Sequence, residues 1–335
     1  MQQKNKKSRW VFTKGLGVLG WFCLASLPAM AASQENDYPN HPIRYILANG
    51  PGSNADLFTR IVAQQLSESL HQPVVVDTRP GAGGTLGLGL MAKAAPDGYT
   101  MGRGSFPVLA IAPQVYKSVP YDVKTDFIAV TLTDLGQNLL VVHLGVPAHS
   151  VRELIQLLKN KPDSFSMASP GVGSVGHLAG LLLTSLGHVT SLHVPYKSAG
   201  VSTLSVVANE TQWTFTPIGA PLPHVRSGRL RALAVGGETR ASQLPDIPTV
   251  VEAGVADYYC SNWAGIVMPR GTPSSRVAKI NKAVREILSR AEIKTQFEQQ
   301  GAEAFASTPQ YFEKLIREDF ERARKLIKLA KLVPE

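Results

Sequence analysis

The sequence predicts an α/β fold with parallel-rich sheets and a helical C-terminal region. Three observations carry this. First, apolar β-branched runs alternate with amphipathic segments along most of the 335 residues, the pattern of βα units. Second, the stretch from Val74 to Gly104 reads as one complete unit: Val74-Val75-Val76 as a buried strand, Arg79-Pro80-Gly81-Ala82-Gly83-Gly84 as a loop, Leu86 to Ala95 as a helix opened by Thr85, Pro96-Asp97-Gly98 as a turn, and Tyr99-Thr100-Met101 as the next strand. Third, from Ile266 onward the apolar residues recur at helical spacing and no further strand is read.

Composition narrows the class. Hydrophobic residues make up 44% and charged residues 18%, a globular balance, and 335 residues suffice for two ordinary domains. The net charge is +9, but five of the basic residues (Lys4, Lys6, Lys7, Arg9, Lys14) precede an apolar run from Gly15 to Leu27; subtracting those five leaves +4. That run is too short to span a membrane and ends near Ala29-Met30-Ala31, so residues 1–31 read as a secretory signal peptide cut after Ala31. No stripe of Lys and Arg interleaved with aromatics appears, which argues against nucleic acid as a partner. Beyond the leader, Cys260 stands alone and reads as a small buried hydrophobe.

The elements follow in order. Ile43 to Ala48 reads as the first strand and Asn49 to Asn54 as its exit loop. A helix runs from Ala55 to Leu70, with Leu57, Ile61, Leu66 and Leu70 on its apolar face, Ser53 or Asn54 as cap, and Asp56 in the first turn. Ile128 to Leu132 and Leu139 to Leu144 read as strands. Ser150 and Glu153 form a capping box for a helix from Val151 to Lys159. Phe165 to Ala168 is a strand that ends in Ser169-Pro170-Gly171-Val172-Gly173-Ser174, with a helix from Val175 to Leu186 behind it. Strands at Leu192 to Lys197, Trp213 to Thr216 and Arg231 to Val235 extend the alternation into a second, parallel sheet. Helices over residues 274–288, 292–300 and 309–332 then return to the first sheet. This organisation divides the chain into a discontinuous first domain (38–136 plus 263–335) and a second (137–262), joined by crossings at Asp134–Asn138 and Cys260–Ala264 that suit a hinge.

The motifs favour binding over catalysis. Glycine-bearing strand exits lie where open α/β sheets hold ligands, and bare amides at helix N-termini attract anions. Gly171-Val172-Gly173-Ser174-Val175-Gly176 matches G-x-G-x-x-G, but positions 189–199 hold no Asp or Glu for a ribose, so a dinucleotide is not supported. A serine hydrolase is the enzymatic alternative; Ser174 has Gly176 after it but Val172 before it, which breaks the nucleophile elbow, and His177 lies only three residues on. No histidine pairing suits zinc. Lys197, at a strand end, is the candidate for charge at a cleft.

These residues carry a family resemblance. Tyr38-Pro39, Pro42-Ile43-Arg44, Pro51-Gly52 with Asp56 and Arg60, Arg79-Pro80-Gly81-Ala82-Gly83-Gly84, Pro96-Asp97-Gly98-Tyr99-Thr100, His177-Leu178-Ala179-Gly180, His193-Val194-Pro195-Tyr196-Lys197, Pro223-His224-Val225, Gly228-Arg229-Leu230-Arg231-Ala232-Leu233-Ala234-Val235, Leu244-Pro245-Asp246-Ile247-Pro248-Thr249 and Gly271-Thr272-Pro273 occur in this order. The chain resembles the extracytoplasmic solute receptors of tripartite tricarboxylate transporters, the Bug-type receptors. The resemblance implies a two-domain periplasmic binding protein (type II) that closes like a flytrap on a small carboxylate. It further implies a monomer with no catalysis, no cofactor and no metal, which delivers its ligand to integral-membrane permease subunits. A ligand sensor for a two-component system would use the same fold.

By position, the resemblance assigns the ligand to Asn49, Gly50, Ser53 and Asp56, to Ala82, Gly83, Gly84 and Thr85, and to Ser105 in the first domain. In the second it assigns Ser169, Gly173, Ser174, His177, Lys197 and Thr216. Departures from the family pattern are Asn49-Gly50-Pro51-Gly52-Ser53 in place of an aromatic-Pro-Pro-Gly-Gly run, Leu181 and Thr216 in place of acidic residues, Ser198 in place of glycine, and Gln212 in place of aspartate. They imply a carboxylate ligand with no required cationic amine. Replacing Gly83 with Val is expected to weaken binding and leave the fold intact.

Overall fold

The computed structural model describes residues 37–162, 164–260 and 262–329. The expected signal peptide and the end of the last helix lie outside them. Within them the chain alternates strand and helix as its patterning dictates: β1 (Ile43–Leu47), α1 (Asn54–Leu70), β2 (Val74–Thr78), α2 (Thr85–Ala92), β3 (Thr100–Ser105), a π-wound turn (Pro107–Ile111) running into α3 (Ala112–Val115), and β4 (Phe127–Gly136). There follow β5 (Asn138–His143), α4 (Val151–Asn160), β6 (Met167–Ser169), α5 (Val175–Leu186), β7 (His193–Pro195), α6 (Ala199–Val207), β8 (Trp213–Pro217), α7 (Leu222–Arg226) and β9 (Leu230–Val235). The chain closes with β10 (Trp263–Pro269), α8 (Ser274–Ser289), α9 (Ala291–Gln299), β11 (Ala302–Ala304) and α10 (Pro309–Leu329).

The strands form a six-stranded sheet, ordered β11-β4-β10-β3-β1-β2, and a five-stranded sheet, ordered β7-β6-β8-β5-β9. Both are mixed. β1 runs parallel to β2 and β3, while β10 runs antiparallel to β3 and β4. In the second sheet β6 is parallel to β7 and β8, but β5 is antiparallel to β8 and β9. The second sheet is therefore not parallel throughout: β5 lies between β8 and β9 and runs opposite to both.

Three further expectations change. β2 is an edge strand with Val75 54% exposed, because a β-branched run signals a strand but not its lateral place. The region from Ile266 onward does contain strand. Trp263–Pro269 is buried along its whole length in the middle of the first sheet, the kind of continuous apolar run that belongs to a strand covered on both faces, and β11 forms that sheet's edge. In α1 the buried apolar residues are Phe58, Val62, Ala63 and Leu66, and Leu57 is exposed. Phe58 stacks on Phe297 of α9 at 4.5 Å, which rotates the apolar stripe by one residue.

The C-terminal helices do pack back on the first sheet. Asn281 of α8 donates to the Val130 carbonyl of β4 at 2.9 Å, and Phe312 of α10 meets Trp263 edge-on at 5.3 Å. α10 also lies against α5 beside the second sheet. One apolar cluster accordingly runs from Leu132, Trp263 and Phe312 to Leu140, Trp213 and Phe215. A smaller cluster of Leu139, Val141, Ala168 and Val206 fills the other face of the second sheet.

Candidate functional site

A cleft of 710 Å³ lies between the two sheets. On the first-sheet side it is lined by the exit loop of β1 (Asn49, Gly52, Ser53), the start of α1 (Asn54, Ala55), Ser105 at the end of β3, Pro107 beyond it, and Gln300 and Gly301 after α9. On the second-sheet side it is lined by Ser198, Ala199 and Gly200 at the start of α6, by Pro217 at the end of β8, and by Gly219 and Ala220 beyond it. β1 stands between β2 and β3, so the chain turns in opposite lateral directions from β1 and β3. The crevice opens at such a reversal, outside the carboxyl ends of the two strands.

Two helices begin at this cleft, one beside each sheet. Ser53 caps α1, its Oγ accepting from the Asp56 amide at 3.2 Å, and Ser198 caps α6, accepting from the Val201 amide at 3.3 Å. The residues just after each cap line the cleft. Their amides have no partner within the helix, and the helix dipole adds partial positive charge there. Among the described residues, the only charged side chains lining the cleft are Arg103 and Asp134, and they pair with each other at 2.7 and 2.8 Å. Burial opposes the Arg103 charge, but the Asp134 carboxylate outweighs it and holds the guanidinium pKa above its ordinary value. The cleft thus sets polar groups in a mostly apolar lining, carries no net side-chain charge among the described residues, and is flanked by two positive helix ends.

Of the residues assigned from the sequence, Asn49, Ser53 and Ser105 line this cleft. Gly50 and Asp56 shape its loop instead. Ser53 Oγ donates to the Gly50 carbonyl at 2.8 Å, and the Asp56 carboxylate accepts from the Gly52 amide at 3.0 Å and pairs with Arg60 at 2.8 Å. Ala82, Gly83, Gly84 and Thr85 do not line it. They follow the edge strand β2; positions 83 and 84 face Tyr116 and Val108, and Thr85 Oγ1 donates to the Ala82 carbonyl at 2.9 Å.

On the second sheet, Ser169, Gly173, Ser174 and His177 form a separate group. Ser169 Oγ is 2.7 Å from His193 Nε2, the His177 and His193 rings stack at 3.9 Å, and His177 Nδ1 accepts from the Gly173 amide at 3.1 Å. Ser174 Oγ caps α5 and donates to the Gly171 carbonyl at 2.7 Å. Burial, with His193 adding to it, pulls the His177 pKa down to about 4. Lys197 is exposed outside the cleft, next to Ser198. Thr216 is fully buried beside the cleft residue Pro217, its Oγ1 without a hydrogen-bond partner among the described residues. Gln212 lies away from the cleft, where its Oε1 accepts from the Ser166 amide at 2.9 Å.

The sequence reading passed over Arg103 and the Gln299–Gly301 segment, and it named Asn54 only as a cap and loop residue and Asp134 only as the start of a crossing. A signal for Arg103 existed: an arginine between glycines inside a strand, Gly102-Arg103-Gly104, needs a buried partner. Among the described residues no group of three His, Cys, Asp or Glu is placed to hold a metal.

The family model described as tripartite tricarboxylate transporter family receptor matches residues 58–332. The chain belongs to this family. It is 31% identical to protein BugT of Bordetella pertussis over 92% of this chain and 95% of that one. Among solved structures, R. palustris Rpa4515 with adipate matches at 30% identity and a TM-score of 0.77, covering 89% of this chain and 100% of the other. MatC (Rpa3494) from Rhodopseudomonas palustris with bound malate matches at 28% identity and a TM-score of 0.72, covering 87% and 100%. The fold is that of the α/β periplasmic binding proteins, and receptors of this family bind solutes and are not enzymes. In keeping with that, Ser174 is engaged in capping a helix, the opposite of a nucleophile exposed at an elbow.

Proposed function

We propose that this tricarboxylate transporter receptor captures a small carboxylate in the cleft between its sheets and delivers it to the membrane subunits of a tripartite transporter. The observation that carries the reading is the pair of helix N-termini, α1 and α6, that meet at a cleft with no net side-chain charge. Amides and hydroxyls from Asn49, Ser53, Ser105 and Ser198 to Gly200 would hold the carboxylate and the rest of the ligand. Relatives solved with adipate and malate support the same chemistry. The receptor works in the periplasm as a monomer, after removal of residues 1–31. Two lobes, 38–136 plus 263–335 and 137–262, close on the ligand about Asp134–Asn138 and Cys260–Ala264. The two crossings lie side by side, with the Gly136 amide donating to the Asn262 carbonyl at 2.6 Å, so they can flex together.

Thermal-shift titration with mono-, di- and tricarboxylates tests this. A ligand held only by the folded state adds about 2.7 kcal/mol of stability at a hundred times its Kd. The expected result is a rise in Tm with one class of carboxylate; tight binding of cationic amino compounds and of no carboxylate would overturn the proposal.

A further inference from the structure

The loop after β8 and the loop before β11 belong to different sheets, and their backbones touch. A Cβ on Gly301 would lie 2.5 Å from the Gly219 nitrogen and 2.7 Å from its Cα, and one on Gly219 would lie 2.8 Å from the Gln300 carbonyl oxygen. These neighbours are main-chain atoms and cannot swing aside. Each glycine also sits one residue from the crossing between the sheets. The Ile218 amide donates to the Gln137 carbonyl at 2.9 Å, and Ala302 pairs with Gly136. Both glycines line the cleft, so they lie on its side of the crossing. A rotation that narrows the cleft about that crossing drives the two backbones into each other, and they are already in contact.

We propose that Gly219 and Gly301 form the stop that sets how far the cleft closes, and that these two positions thereby determine the size of ligand it retains. The proposal rests on the two-lobe reading above. Asn54 ties the stop to the site: its Nδ2 donates to the Gln300 carbonyl at 3.2 Å, so the start of α1 and the Gly301 half of the stop move as one piece. A side chain at position 219 would act as a wedge. Gly219 has none of the left-handed backbone geometry found at Gly301 (φ +78°), so a substitution there tests the wedge without backbone strain.

The test uses Gly219→Ala and Gly219→Val in the full chain, with spin labels at Lys159→Cys on α4 and Lys282→Cys on α8 in a Cys23→Ser background. Cys260 is buried, and burial pushes its thiol pKa up to about 12, so it does not compete for label. The expected result is a longer interlobe distance in the ligand-free Val variant, an intermediate distance for Ala, and a loss of carboxylate affinity of about tenfold or more for Val, with the far-UV circular dichroism of the parent. Parent-like distances in a folded Gly219→Val would overturn the stop. Should Val prevent folding, a parent-like distance in Gly219→Ala would overturn it. The ligand-free distance needs no carboxylate, so it separates failure of the stop from failure of the ligand reading.

Discussion

Arg103 of β3 and Asp134 of β4 meet in a bidentate pair at 2.8 and 2.7 Å although β10 lies between their strands. The residue of β10 in register with Asp134 is Ala264, whose single methyl leaves room for the two side chains to join above it. Both partners are about 5% exposed, so each charge depends on the other. Asp134→Leu strands a buried guanidinium and should destabilise the fold by about 3–5 kcal/mol in urea unfolding. The double variant Arg103→Met/Asp134→Leu should recover most of that loss. Equal destabilisation in single and double variants would show that the pair does not act as a unit.

The stacked pair His177 and His193 should make stability depend on pH. His177 titrates near 4 in the folded chain, against an ordinary value of 6.5, because it is buried beside His193; burial lowers His193 as well. The Gly173 amide donates to His177 Nδ1, which can accept only while that nitrogen carries no proton. The unfolded state therefore binds more protons, and stability rises with pH. The contribution is complete above pH 6.5 and is lost as pH falls towards 4, on the order of 1–3 kcal/mol. Urea midpoints from pH 7.5 to 4 should fall over this window in the parent and fall less in His177→Leu. Parallel curves would refute the assignment.

Ser198 and Ser150 cap helices in the same way, but only Ser198 borders the cleft. Replacing either with Ala should cost about 1 kcal/mol in thermal unfolding. Calorimetry should find carboxylate binding weakened in Ser198→Ala alone. Equal affinity in both variants would remove the start of α6 from the site.

Gly83→Val has a different expected effect once the fold is known. Gly83 sits at φ +62°, and a Cβ there would meet the Tyr116 hydroxyl at 2.6 Å, away from the cleft. A β-branched residue fits neither the backbone nor the space, so the variant should lose about 1–3 kcal/mol of stability. Ligand affinity of the folded fraction should stay close to that of the parent. A stable variant with weakened binding would instead return the Gly81–Thr85 loop to the site.

By itself the sequence determined the local pieces. Spacing and capping residues set α1, α4, α5 and α8 close to their observed ends, and β-branched runs marked β1, β2, β4 and β5, because dihedral preference and apolar period are local properties. The order of the motifs also carried the receptor family. The tertiary structure alone decided which of these pieces meet. Strand order depends on how every helix and sheet face is covered at once, and it placed β1 between β2 and β3. That order brings Asn49, Ser53 and Ser105 to the cleft and sends Gly81 to Thr85 to the sheet edge, although the Asn49–Ser53 and Gly81–Thr85 segments both follow strands in similar glycine-bearing loops. The same lateral packing joined Arg103 to Asp134 across β10, made Trp263–Pro269 a central strand, and set Gly219 against Gly301. Each of these contacts links segments far apart in the chain, and no local pattern encodes such a distance.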